Sequence, residues 1–182
     1  LNTINNYKIA GGIEGQFQGS FHYKAGIDIS RFNQYHFFVN SQQDTSKFDL
    51  VYDNQVNVFN VNGELGLKLS DVYSLGTRLD LFQYDLSQQQ EAWHRPTWRL
   101  AINNQVTPLD QLLIQANVTL MGGMKARGFL MNEDEMNPVY PVINLKSIAD
   151  LQLKADYSIT NKIGVFFEGN NLLNGANMRW NN

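Results

Sequence analysis

The sequence predicts an all-β protein: an antiparallel up-and-down transmembrane β-barrel segment, about eight meandering strands of a larger barrel. Three observations carry this. Apolar and polar residues alternate with period two nearly end to end. Each alternating run is about ten residues or longer, enough to cross a hydrocarbon layer when tilted. The connections alternate between short and long, as in barrels with tight turns at one end and long loops at the other.

The first predicted strand sets Tyr7, Ile9, Ile13 and Phe17 against Lys8, Glu14 and Gln16. The second sets Phe21, Tyr23, Ala25, Ile27 and Ile29 against His22, Lys24, Asp28 and Ser30. In the third, Phe59, Val61, Leu65, Leu67 and Leu69 oppose Asn60, Asn62, Glu64 and Lys68. The fourth opposes Leu75, Leu79 and Leu81 to Arg78 and Asp80, with Phe82 and Tyr84 blurring its far end. The fifth opposes Trp98, Leu100, Ile102 and Val106 to Arg99, Asn103 and Gln105. The sixth opposes Leu112, Ile114, Ala116, Val118, Leu120 and Met124 to Gln115, Asn117 and Thr119. The seventh is the cleanest: Ala149, Leu151, Leu153, Ala155, Tyr157 and Ile159 against Asp150, Gln152, Lys154, Asp156 and Ser158. The eighth opposes Ile163, Val165 and Phe167 to Glu168 and Asn170. Side chains alternate faces along a strand, so each run has one apolar and one polar face. Tight turns are expected at 18–20, 70–74, 107–111 and 160–162, and long polar loops at 40–55, 87–96 and 125–142.

Composition narrows the function classes. The chain has 182 residues, 14 Lys and Arg against 17 Asp and Glu, and no Cys. A net charge of −3 leaves no basic footprint for nucleic acid. Without cysteine there is no disulfide scaffold and no thiol or zinc-ribbon chemistry. The longest apolar run is far short of a membrane-spanning helix. Asn and Gln, 22 and 14 residues, together outnumber the 31 charged side chains, so amides supply much of the polar surface.

A soluble sandwich or a lipocalin also alternates, but its strands are shorter and its apolar face fills a core. Alternation alone leaves inside and outside open. Strand length, the asymmetry of the connections and aromatics near the tight turns (Phe17, Phe21, Tyr23, Tyr73, Tyr157) favour lipid around the apolar face. The polar face then lines the lumen, with Glu14, His22, Lys24, Asp28, Arg78, Asp80, Arg99, Asp150, Lys154 and Asp156 as lumen-facing candidates. The mixed signs suit a wet or ion-paired lumen more than a single-sign ion filter. With the tight turns placed in the periplasm, both chain ends fall on the long-loop side. The expectation is one barrel segment over 1–182, a fragment lacking plug, signal peptide and closing C-terminal strand.

Residues 151–174 read LQLKADYSITNKIGVFFEGNNLLN, followed by GANMRWNN. This resembles the last barrel hairpin of TonB-dependent outer-membrane receptors, especially the Bacteroidetes type. The match rests on Asn170, Asn171, Leu172, Leu173 and Asn174, with Trp180 in the following loop; it covers about 30 residues, the rest matching in pattern only. The resemblance implies a bacterial outer-membrane protein for nutrient uptake. Its partners would be outer-membrane lipid, an energy-coupling protein and a surface lipoprotein, with the ligand unspecified. No plug domain and no energy-coupling box are present in this sequence.

Catalytic and metal sites find no support. His22, His36 and His94 are scattered. Ser30 and His22 are eight residues apart on one strand, roughly 26 Å, which excludes them as a catalytic pair. The acidic stretch 132–135 lacks the spacing of a calcium loop. Gly11–Gly12 and Gly122–Gly123 precede no helix, so they serve the sheet rather than a phosphate. Trp93, His94, Arg95 and Pro96 form a compact aromatic and basic loop that would contact a glycan or peptide, or pack the loop itself. The expected protein is not an enzyme and uses no cofactor. The alternatives to uptake are a structural or interaction barrel within a larger complex and a passive porin-like channel.

Overall fold

The computed structural model describes residues 4–41, 47–128, 130–131 and 138–173. Twelve strands occur among them and no helix: β1 Ile4–Phe17, β2 Phe21–Asn40, β3 Phe48–Lys68, β4 Tyr73–Leu86, β5 Trp98–Leu109, β6 Leu112–Gly122, β7 Lys125–Arg127, β8 Leu130–Met131, β9 Pro138–Val139, β10 Val142–Asn144, β11 Ile148–Thr160 and β12 Ile163–Gly169. Eight form one antiparallel sheet in the order β1-β2-β3-β4-β5-β6-β11-β12. This is the up-and-down meander of a barrel segment, as the alternation predicts. The other four make two small hairpin sheets, β10 with β7 and β8 with β9, inside the last long connection.

Several boundaries differ from the sequence expectation. β5 runs into the turn expected at 107–111, and Met124, expected on the apolar face of the sixth strand, lies beyond the end of β6 and is buried. The stretch 40–55 is mostly strand, because β2 runs 20 residues and β3 runs 21, paired as far as Asn40↔Phe48. Tyr73 opens β4 instead of sitting in a turn, and its hydroxyl donates to Asn104 Oδ1 at 2.9 Å. The first tight turn is built from backbone geometry. Gln18 and Gly19 have φ of 50° and 71°, and Ser20 N donates to Phe17 O at 3.3 Å. Two central residues of positive φ match the right-handed twist of the flanking strands.

The burial of the two faces decides inside from outside. Ile9, Ile13, Ile27, Leu65, Ile159 and Ile163 are 45–69% exposed, whereas Asn60 and Asp80 on the opposite face are 5% and 2% exposed. A sandwich or lipocalin would show the reverse. From Phe21 to Ile29 the apolar face spans about 27 Å of strand, or roughly 20 Å along the normal at the usual barrel tilt. Its upper border is a polar row in register, Arg31↔Asn57↔Asp85, in which Asn57 Nδ2 donates to Asp85 Oδ2 at 3.1 Å.

Beyond that border the alternation changes phase. Below Gln34 the buried members of β2 and β3 are Ser30, Val56 and Asn60; above it they are Phe37, Val39 and Asp53, with Asn40 at the end of β2. The ladder passes from Asn33↔Gln55 to Tyr35↔Asp53, and Gln34 between them has a φ of 52°. Directly opposed residues share a face, so a switch on both strands at once keeps the pairing intact. Its effect is to turn Tyr35, Phe37, Val39 and Val51 inward. There they pack with Val56, Val58, Tyr84, Leu86, Ala92, Trp93 and Val142 into a small hydrophobic core at the long-loop end.

Glycine serves the thin part of the sheet. A Cβ on Gly12 would stand 2.5 Å from Ala25 O, so only glycine fits this approach of β1 to β2. Gly123, between β6 and β7, has a φ of 71°, a backbone conformation that favours glycine.

Candidate functional site

The polar face carries an ion lattice set by register. Glu14↔Lys24↔Glu64↔Arg78 form one row of alternating sign across β1 to β4. Within it Lys24 lies 3.6 Å from Glu14, and Arg78 3.5 Å from Glu64. Lys8 pairs with Asp28 at 3.3 Å and Lys154 with Asp156 at 3.0 Å. Most of these groups are half exposed, so each pair is worth little by itself, about 0–1 kcal/mol. Asp80 differs. Its side chain is 3% exposed and accepts from both Arg78 (2.9 Å) and Arg99 (3.1 Å).

The remaining sequence candidates divide. Asp150 Oδ2 accepts a hydrogen bond from Gln152 at 3.4 Å, while its buried Oδ1 has no hydrogen-bond partner among the described residues. His22 is exposed near the tight-turn end, in register between Gln16 and Gly66. Asn170 donates to Glu168 at 3.1 Å and Asn171 has a φ of 52°, so the family-like motif ends β12 in a turn. Leu172 N then reaches back to Leu151 O at 3.0 Å, and Leu172 and Leu173 are exposed. Asn174, Trp180 and the acidic stretch 132–135 lie outside the described residues.

At the long-loop end, the connection 87–97 folds over the polar face. Its anchor is Asp53, a residue with no exposed surface. The carboxylate accepts from the amides of Gln55 (3.0 Å), Ser87 (3.1 Å), Gln88 (2.8 Å) and Gln89 (2.9 Å), and from the Ser87 hydroxyl. Burial opposes the charge, but the bonds from Gln89, Ser87, Gln88 and Gln55 outweigh it and hold the pKa below the ordinary 3.8. Trp93 is 5% exposed in the small core and donates to Gln89 Oε1 at 3.2 Å. It packs the loop. Lys125 holds Glu91 at 2.6 Å and its carbonyl accepts from His94 N at 2.8 Å, while Arg127 donates to Asn40 O at 2.8 Å. Those contacts tie β7 to the same assembly.

Beneath this roof is a cavity of about 280 Å³ lined by Tyr35, Phe82, Tyr84, His94, Arg95, Pro96, Arg99, Met121 and Met124. The Arg95 guanidinium lies 5.2 Å from the centre of the Tyr35 ring. Tyr84 donates to Pro96 O at 3.1 Å. Arg95, His94 and Arg99 were legible as candidates from the sequence. The rings and thioethers that join them were not, although Phe82 and Tyr84, apolar residues on the polar phase of β4, were the available signal.

No known protein-family profile matches the chain, and no curated protein matches it by sequence. Solved structures do. The ferripyoverdine receptor of the outer membrane of Pseudomonas aeruginosa, bound to ferripyoverdine, superposes with a TM-score of 0.57 at 13% identity over 91% of this chain. The same receptor with heterologous pyoverdines gives equal values. The toluene transporter TodX of Pseudomonas putida gives 0.53 at 9% identity over 87%. The chain spans 23% of the receptor's length and 52% of the transporter's. At these identities the likeness is one of fold: the chain has the strand arrangement of a segment of outer-membrane receptor and transporter barrels.

Proposed function

We propose that this chain is a C-terminal barrel portion of an outer-membrane receptor of the TonB-dependent type, in the Bacteroidetes style its last hairpin resembles, and that the whole protein takes up a nutrient. It resides in the bacterial outer membrane with lipid around the apolar band. An energy-coupling protein and a surface lipoprotein are its proposed partners. The observation that carries the reading is the inversion of faces: membrane-length apolar strands left bare, with an ion-paired polar face and a roofed cavity opposite. The backbones of β2 to β6 and β11 are paired on both sides, as a hydrocarbon medium requires. The fold shared with a ferripyoverdine receptor and a toluene transporter supports it.

The test is uptake by cells expressing the full-length protein, with and without a functional energy-coupling system. The reading expects the protein in the outer-membrane fraction and uptake that stops when coupling is removed. Uptake persisting without coupling would mean a passive channel, and an outer-membrane protein with no uptake would mean a structural barrel.

A further inference from the structure

The roofed cavity has a composition unlike the rest of the molecule. Asn and Gln number 36 in the chain, yet none lines it, and neither does any Asp or Glu. Two guanidiniums, three aromatic rings and two thioethers do. Arg99 is held by Asp80, which also accepts from Arg78, while Arg78 has Glu64 as a second partner at 3.5 Å. The salt bridges among the described residues include none from Arg95, and the only acid on its loop, Glu91, is held by Lys125. The site therefore carries the positive charge of Arg95, unmatched by an acid among the described residues, against apolar, π-rich walls.

We propose that this cavity binds a small aromatic anion, a planar ring bearing a carboxylate, with the charge at Arg95 and Arg99 and the ring among Tyr35, Phe82 and Tyr84. A neutral sugar would need the amide and carboxylate acceptors that the cavity lacks. An aliphatic anion would use the arginines but not the rings. Guanidinium is the group suited to bidentate carboxylate recognition and to stacking, and Arg95 already lies over Tyr35. The Tyr84 hydroxyl is committed to Pro96 O, so it sets no acceptor charge against the ligand. The volume of about 280 Å³ suits one ring rather than an extended ligand. This inference rests on the uptake reading for its physiological sense, since it names the ligand class.

The experiment is isothermal titration of the purified full-length protein in detergent with benzoate, benzamide and cyclohexanecarboxylate. Saturable benzoate binding is expected, with benzamide, the neutral isostere, weaker by about tenfold or more. Cyclohexanecarboxylate should also bind more weakly than benzoate. Arg95→Gln should weaken benzoate by about tenfold and leave benzamide unchanged. Should that variant fail to fold, Arg99→Lys, which keeps the charge opposite Asp80, must weaken benzoate selectively. Equal affinity for benzoate and benzamide, no saturable benzoate binding, or arginine variants without effect would overturn the proposal. Coupled uptake without benzoate binding would overturn this inference alone. Benzoate binding without uptake would leave the ligand site standing and remove the transport reading.

Discussion

Two carboxylates carry more than their neighbours. Asp80 is enclosed by Arg78 and Arg99, whereas Glu14 meets Lys24 across open surface. Replacing Asp80 with Asn removes the charge from two charge-assisted hydrogen bonds and should destabilise the folded barrel by about 1.5–3 kcal/mol. Glu14→Gln should cost less than about 1 kcal/mol. Urea unfolding from lipid vesicles, followed by electrophoretic mobility, measures both. Asp53 governs the loop above. Its pKa is lowered on folding, so it stabilises the closed loop above the unfolded value near 3.8, and that contribution is lost as pH falls through the lower folded value. Hydrogen exchange at Gln88 and Gln89 should stay slow at pH 5 and become fast as pH drops below the ordinary carboxylate range. In Asp53→Asn the two amides should exchange fast at pH 5 already.

The eight strands of the main sheet were legible because a two-sided environment writes itself as period two. Their extensions were not. The face switch at Gln34 exchanges the two phases, so residues above it cannot be read as a continuation of the run below. That is why the stretch 40–55 reads as loop while most of it is paired strand. Asp53 was hidden for the same reason: in a loop it is an ordinary exposed acid, and only pairing with Tyr35 turns it inward. Conversely, the turn at 18–20 was readable, because glycine and small polar residues report the backbone directly. The lipid face of a central strand gives a test at this scale. Leu153→Arg or Val118→Arg should cost roughly 2–4 kcal/mol in a bilayer if these positions lie near its midplane. The same changes in a soluble, water-facing strand would be near neutral, and refolding equilibria in vesicles separate the two.

For the whole molecule, the mean hydropathy of −0.34 is an average over two unlike surfaces. One is apolar and bare, the other polar and closed on itself by ion pairs, and a loop assembly with its own small core covers one end. The uptake reading and the ligand proposal both depend on that division. Because the sequence has no cysteine, single cysteines can be placed along β2 and labelled with a fluorophore in proteoliposomes. A lipid-soluble quencher should act on labels at positions 21, 23, 25, 27 and 29, and a water-soluble quencher on those at 22, 24, 28 and 30. Beyond Gln34 the phase should reverse, with position 38 outward and positions 37 and 39 inward. Uniform access to the aqueous quencher, or lipid contact on the even positions below Gln34, would contradict the assignment of faces.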